Sequence, residues 1–532
     1  MKKLFRIFGI IAFIALIGFS MVSCNNEVIV YRPSTPIYAS PTPFASTRLP
    51  VNIDEDLEAA IDKAVAPFVQ LHYTLTVGTT TYPSVPGAVI LVVKNGEIVA
   101  EKAYGFSYLT DAPDTVNLAA GADAVNKARN SAAQARILQG TMVANPVRMR
   151  TDTLFDLASI TKIMATTQAI MKLVSDGDLA LTDLVKDHIP EFTSERKDTI
   201  TVGHLLMHSS GLSQWEPDYL LPELWKDRAA VLNFYNTMPI DTRAPGSLYS
   251  YSDIGFRLLA YIVEAVSGKS FDQFCKEEIY QPLGLRHTTF NPLQNGFRME
   301  HTAATSWGNY YEMAMVDGVN LLGFGYNTNA GSISGTAADG EYTQMYLDGL
   351  AALDAKTIAG GDGWRTYTLR GEVNDGNTWM GGAGISGAAG LFSTASDLAV
   401  LGQMMLNGGI YDGVRIYDEA VLTTFRGQGY NAANGYGFKR NNSFMGAADT
   451  RTANHTFGHD GFTGTQVWMD VETKMVFVVL TNKMNVGAHI SVSGSQYRPN
   501  YSNTLGQISP SVGNAVYAYY GGRQAVIDSL QE

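Results

Sequence analysis

Strand-forming apolar runs lie near both ends of this chain, and a long helical stretch separates them. Gly87-Ala-Val-Ile-Leu-Val-Val93 is continuous and β-branched, Asn95-Gly96 is a hairpin turn signal, and Glu97–Ala103 reads as the partner strand. Thr463–Asp470 and Met475–Leu480 supply two more strands close to the C-terminus. From Ser159 to about Gly284 the spacing is mainly helical, broken at Asp176-Gly177, Ser210-Gly211, Pro245-Gly246 and Gly268. The economical architecture is α+β: one antiparallel sheet assembled from both chain ends, flanked by helices, with an inserted mainly helical subdomain. Helices are expected at Leu57–Gln70, Phe271–Ile279, Ser396–Leu406 and Ser511–Tyr520. One domain should span 51–532, its α/β part at about 51–158 and 386–532 and its helical part at about 159–385. The Ala-, Asn- and Gln-rich stretch 110–148 reads as an inserted excursion, partly helical. The Gly- and Tyr-rich stretch 296–385 reads as a loop region beside the site or a cover over it. A cleft between the two parts is the natural place for a ligand.

The start of the chain is a different kind of segment. Lys2, Lys3 and Arg6 precede 13 apolar-rich residues, Ile7 to Phe19, too few to cross a bilayer comfortably. With Ser23 at a cleavage position, residues 1–23 read as a secretory signal peptide. Met21-Val-Ser-Cys24 resembles a bacterial lipoprotein signal in which Cys24 becomes the acylated first residue, although Met21 stands where Leu is usual. Residues 24–50 carry five prolines among Ser and Thr and read as an extended tether. The expected location is therefore outside the cytoplasm, lipid-anchored to a membrane and facing periplasm or exterior. Cys275, the other cysteine, reads as a small buried hydrophobe. Without Lys2, Lys3 and Arg6, 35 basic residues face 50 acidic ones, a net charge of −15, which opposes nucleic-acid binding and polybasic attachment to lipid.

Chemistry concentrates in three short motifs in fixed order: Ser159-Ile-Thr-Lys162, Tyr251-Ser-Asp253 and His459-Asp-Gly461. Residues three apart on a helix share a face, so the Lys162 ammonium should lie beside the Ser159 hydroxyl. A serine becomes a useful nucleophile only when a neighbour takes its proton. Ser194-Glu-Arg-Lys197 has the same spacing but sits among charges and reads as a solvated loop; Tyr346-Leu-Asp348 and Tyr501-Ser-Asn503 imitate the second motif.

The three motifs and their flanks resemble the serine β-lactamase and penicillin-binding-protein family, most closely its class C β-lactamase-related branch of carboxypeptidases and esterases. The resemblance rests on Phe155-Asp-Leu-Ala-Ser-Ile-Thr-Lys, His204-Leu-Leu-Met-His-Ser-Ser-Gly-Leu212, Pro245-Gly-Ser-Leu-Tyr-Ser-Tyr-Ser-Asp-Ile-Gly-Phe256, Gly390-Leu-Phe-Ser-Thr-Ala-Ser-Asp-Leu398 and Gly458-His-Asp-Gly-Phe-Thr-Gly464. It implies the β-lactamase/transpeptidase-like fold and a Ser159 acyl-enzyme. Lys162 would support the neighbouring groups, and Tyr251 would be the general base, provided that Lys162 favours its phenolate. Asp253 stands where the family often has Asn, so it can hold Lys162 but cannot donate to a substrate carbonyl. His459 stands where true class C β-lactamases have Lys, which implies weaker recognition of a substrate carboxylate and poor β-lactam turnover. The oxyanion hole would be the N–H groups of Ser159 and of Phe462, which follows Gly461.

The implied function is a secreted serine hydrolase cleaving an ester or amide, with a D-amino-acid peptide of the cell wall among the candidate substrates. A true β-lactamase and a penicillin-binding sensor or scaffold without turnover are the alternatives. Neither cofactor nor metal is implied: His204 and His208 have i,i+4 spacing but no evident third ligand, and read as structural. Ser396 and Asp397 read as helix capping. The Tyr and Trp residues of 307–379 read as packing, with pocket lining as the alternative.

Overall fold

A computed structural model describes residues 49–69, 74–77, 80–83, 85–112, 137–309 except 195, 363–440 except 428 and 432, 455–485, 488–492, 496–499 and 505–531, with 312, 348–349, 352–353 and 356 between. The leader, Cys24, nearly all of the tether, Tyr346 and Tyr501-Ser-Asn503 lie outside the described residues.

The sheet joins the two chain ends. Its strands are β1 (Gly87–Lys94), β2 (Glu97–Asp111), β3 (Thr141–Arg148), β4 (Lys439–Arg440), β5 (Thr456–Asp460), β6 (Thr465–Asp470) and β7 (Met475–Thr481), in the order β4-β5-β6-β7-β1-β2-β3. Every neighbouring pair is antiparallel. β7 runs beside β1 in continuous register from Met475 opposite Lys94 to Thr481 opposite Ala88, closing almost 400 residues of chain. The β1–β2 turn places Asn95 at φ 53° and Gly96 at φ 83°, the left-handed pair that a two-residue hairpin needs.

Period-two alternation explains the layers. Ala88, Ile90 and Val92 of β1 and Phe477 and Val479 of β7 face one way. They pack against Leu57, Ile61 and Val65 of the Glu55–Val69 helix and Val512 and Val516 of the Leu505–Tyr519 helix. Val89, Leu91 and Val93, with Val476, Val478 and Leu480, face the other way. There they meet the Ala395–Leu406 helix and the segment that carries Ser159. Cys275 is a buried free thiol in that larger core.

Three details differ from the sequence reading. The 110–148 excursion opens and closes on strands: β2 runs to Asp111, β3 returns beside it, and Ile137–Gln139 pairs with Ala488–Val492. Its middle, 113–136, is outside the described residues. Helix Ala395–Leu406 is capped by Thr394, whose hydroxyl accepts the Asp397 N–H at 3.3 Å. The Asp397 carboxylate instead accepts the His287 N–H (2.8 Å) and the Thr288 hydroxyl (3.0 Å), while the Ser396 hydroxyl donates to Glu101 (3.0 Å). Finally, the 296–385 stretch is partly regular: Ala304–Trp307 pairs with Thr368–Arg370, and Gly376–Met380 is helical. Trp307, Trp364 and Tyr219 are buried packing residues.

Candidate active site

Ser159 sits just past a short strand. Phe155–Asp156 pairs with Leu391–Ser393, and the chain then turns through Ala158, a non-glycine residue at φ 46°. Such a conformation persists only where the surroundings fix it. Here the Asp156 carboxylate accepts the Ala158 N–H at 2.8 Å, and the Leu391 carbonyl accepts the Leu157 N–H at 2.9 Å. A 3-10 turn over Ala158–Ile160 and a π turn over Lys162–Thr166 lead into the Thr167–Asp176 helix.

Lys162 is 0% exposed. Its ammonium lies 3.0 Å from Ser159 Oγ, donates to the Ala388 carbonyl at 2.9 Å and forms a 2.7 Å ion pair with Asp253. The Tyr251 hydroxyl lies 2.9 Å from the same Ser159 Oγ, and its ring faces the ammonium at 5.1 Å. Tyr251 and Asp253 are held there by Ser252, which caps the Asp253–Ser267 helix by accepting the Gly255 N–H at 3.1 Å. Hydroxyl, ammonium and phenol, the last 92 residues away in sequence, thus meet around one oxygen.

The electrostatics differ from what a phenolate would need. Burial, and then the Asp253 carboxylate, raise the Tyr251 phenol well above its ordinary value. Lys162 cannot offset this effectively, because its charge is paired with Asp253. Tyr251 is therefore a neutral phenol at rest, and its hydroxyl serves as a donor to Ser159.

His459, on β5, is 2% exposed. Its Nδ1 lies 2.7 Å from the Asp460 carbonyl, which can only accept, so Nδ1 carries the proton and Nε2 is the ring's acceptor. Burial and then Lys439 hold the imidazole well below its ordinary value, so it is neutral. Lys439 comes from β4, opposite Gly458, and is ion-paired with Asp460. A cation therefore stands next to position 459 but is already engaged.

The turn from Gly461 to Gly464 is fastened to the segment that leads into Ser159. Thr463 Oγ1 donates to the Asp156 carbonyl (2.6 Å) and Thr465 Oγ1 to the Leu157 carbonyl (3.0 Å). A Cβ at position 461 would stand 2.3 Å from the Leu157 carbonyl oxygen, so only glycine permits this approach. Phe462, 39% exposed, follows, with the Lys483 ammonium 5.8 Å from its ring centre. The turn thereby keeps the Phe462 backbone close to the segment that leads into Ser159.

Sequence reasoning missed Asp156, Ala388 and Lys439. It read His204 and His208 as structural, and both side chains bond to backbone: His204 Nδ1 accepts the Thr201 N–H (3.2 Å) and His208 Nδ1 the Ser252 N–H (2.9 Å). Ser194 and Lys197 lie elsewhere, and the expectation of a solvated loop fails for Lys197, which is 0% exposed.

Residues 61–490 match the Beta-lactamase family model. The chain belongs to the β-lactamase family. A protein named "Putative D-alanyl-D-alanine carboxypeptidase" from Salmonella schwarzengrund (strain CVM19633) is 30% identical over 433 residues, covering 79% of this chain and 82% of its own. A protein of the same name from Escherichia coli (strain K12) is 31% identical with the same coverage. Among solved structures, a penicillin-binding-protein homologue from Caulobacter crescentus superposes with a TM-score of 0.52 at 20% identity, covering 88% of this chain and 98% of that one. EstCE1, a hydrolase with promiscuous acyltransferase activity, also gives 0.52, at 16% identity, covering 87% and 99%. At those identities the two structures bear on the fold, which is the mixed α/β fold of β-lactamases and penicillin-binding proteins. At family level the chain is a serine hydrolase.

Proposed function

We propose that this β-lactamase-family chain is an exported, lipid-anchored serine hydrolase that removes a terminal D-amino acid from cell-wall peptides through a Ser159 acyl-enzyme. The observation that carries the chemistry is the meeting of Ser159 Oγ with Lys162 Nζ at 3.0 Å and Tyr251 OH at 2.9 Å. The substrate class is supported by the names of the two relatives of about 30% identity. Export and the lipid at Cys24 are supported by the leader sequence alone.

In this reading Ser159 attacks the carbonyl carbon while the backbone N–H groups of Ser159 and Phe462 receive the developing oxyanion; losing one such donor costs about 10²–10³ in rate. A phenol so reluctant to ionise works as a relay. Tyr251 takes the Ser159 proton as it passes its own to the leaving amine, so no free phenolate accumulates. Lys162, anchored by Asp253 and Ala388, fixes the hydroxyl and offsets negative charge passing through the pair. Water then repeats the sequence on the acyl-enzyme. The neutral, buried His459 offers no charge-assisted bond to the carboxylate that a β-lactam and a D-alanyl peptide share, so the choice of peptide over β-lactam is supported by the relatives' names. Purified protein incubated with a D-alanyl-D-alanine peptide, p-nitrophenyl esters and nitrocefin tests the proposal. Release of D-alanine well above nitrocefin turnover is expected. Efficient nitrocefin hydrolysis, or a stable adduct without release, would replace it with the β-lactamase or the sensor.

A further inference from the structure

We propose that His208 is a positioning residue for Tyr251, fixing the phenol against Ser159 through two backbone contacts and one ring face. The inference rests on the serine hydrolase reading and adds a residue to its machinery.

Three independent contacts converge on the Tyr251 segment. The His208 carbonyl accepts the Ser250 N–H at 2.7 Å, and His208 Nδ1 accepts the Ser252 N–H at 2.9 Å. These N–H groups belong to the residues on either side of Tyr251, so one residue brackets it in the chain. The third contact is the ring: His208 lies 4.5 Å from the Tyr251 ring at 30° and 4.9 Å from the Phe256 ring at 32°. The imidazole is thus a spacer between the phenol and a core aromatic of the Asp253–Ser267 helix. Tyr251 also meets His459, with ring centres 6.1 Å apart. Phe256, His208, Tyr251 and His459 form a column of neutral rings, flanked by Lys162, whose ammonium lies 5.1 Å from the Tyr251 ring and 5.7 Å from the Phe256 ring.

The backbone of His208 is held for this purpose. It has φ 53°, just past the Val202–Leu206 helix, a left-handed conformation uncommon outside glycine but one in which His, like Asn and Asp, is enriched. That turn presents its carbonyl and its ring to the same segment. A backbone N–H can only donate, so Nδ1 must be the bare nitrogen and Nε2 must carry the hydrogen. Burial and the Lys162 charge keep the ring unprotonated. A charged ring would lose the Ser252 acceptor and repel Lys162.

A double-mutant cycle with Tyr251→Phe tests this, read by the acylation rate with p-nitrophenyl acetate and by KM. His208→Asn retains a side-chain acceptor and tolerates the left-handed backbone but removes the ring. His208→Phe retains a ring but removes the acceptor. Each should slow acylation about 10- to 100-fold, with KM changed less than about threefold, and neither should slow the Tyr251→Phe enzyme further. Losses that multiply in full in the Tyr251→Phe background, or a rise in KM alone, would overturn the positioning role. If His208→Phe fails to fold, as its melting curve would reveal, His208→Asn decides the outcome alone. Failure of the underlying reading looks different: the wild type would then show no Ser159-dependent acylation at all.

Discussion

Ser159–Lys162 and Ser194–Lys197 are two uses of one spacing, with ammonium-to-hydroxyl distances of 3.0 Å and 3.3 Å. Both lysines are 0% exposed. Around Ser194, besides Lys197, the described residues supply a backbone carbonyl and an amide. Its hydroxyl donates to the Asn236 carbonyl, and the Lys197 ammonium is met by the carbonyls of Asn236 (2.9 Å) and Met238. A carbonyl accepts a hydrogen bond but does not carry a proton onward. Around Ser159 the partners are a phenol and an ammonium, and a carboxylate stands behind the ammonium. Ser-x-x-Lys spacing therefore supplies proximity, and on the proposed mechanism the phenol beside Ser159 turns that proximity into chemistry.

The largest test of that contrast is substitution of each serine. Ser159→Ala should abolish labelling by an active-site serine probe and lower hydrolysis on the order of 10⁴-fold or more. Ser194→Ala should leave both within about twofold, at some cost in melting temperature. Equal labelling of wild type and Ser159→Ala would end the assignment. Next in size is Tyr251, the phenol beside Ser159. Tyr251→Phe keeps the ring in its column and removes the relay, so kcat should fall by about 10²–10⁴ while the melting temperature hardly moves. An enzyme that retains its rate would make Lys162 alone sufficient, and the two serines would then differ for another reason.

His459→Lys gives a smaller effect and concerns substrate choice. The native imidazole is neutral, and the nearest lysine, Lys439, is engaged by Asp460. A new ammonium at 459 would supply the charge-assisted bond that a substrate carboxylate lacks, worth about 1.5–3 kcal/mol. The ratio of kcat/KM for an acid over its neutral methyl ester should rise about 10- to 100-fold. An unchanged ratio would show that position 459 does not meet that end of the substrate.

Much of this arrangement was legible in the chain because it is written in local patterns. β1 and β7 are uninterrupted apolar runs, which only a strand with both faces covered accommodates, so a sheet closed from both ends followed from the sequence. Lys162 follows Ser159 at i,i+3, so their neighbourhood followed from spacing, whereas the Ser252 cap that starts the Asp253–Ser267 helix emerged only in the structure. The unread parts act through backbone groups at long range. Ala388 contributes a carbonyl, which every residue has. Lys439 occupies a two-residue edge strand too short to carry a period. His208 carries a ring whose partner lies more than 40 residues away, so i,i+4 spacing pointed to His204 instead. The phenolate expectation came from the resemblance, which set Lys162 near Tyr251 but gave no measure of burial or of Asp253's charge, both of which raise the phenol.

The finest difference between the two serines lies in what holds their backbones. At Ser194 a neutral amide does it: Asn236 Oδ1 accepts the N–H groups of Thr193 (3.0 Å) and Ser194 (2.9 Å). Near Ser159 a carboxylate does it: Asp156 accepts the N–H groups of Ala158 (2.8 Å) and Asn374 (2.6 Å), while its carbonyl receives Thr463. Burial raises Asp156 from 3.8 to about 6, despite those two N–H groups. A folded value above the unfolded one means that the folded protein binds the proton more tightly. The associated stability, about 3 kcal/mol, is complete below about pH 4 and is lost as pH rises through about 6. Protonation, however, removes an acceptor from the Ala158 or the Asn374 N–H and loosens the turn that aims Ser159. Stability and acylation rate should therefore move in opposite directions between pH 4 and 7, the rate rising several-fold with a midpoint near 6. Asp156→Asn cannot ionise and should flatten both profiles at a reduced rate. A midpoint that persists in Asp156→Asn would assign that titration to another group and leave the two serines alike in how their backbones respond to pH.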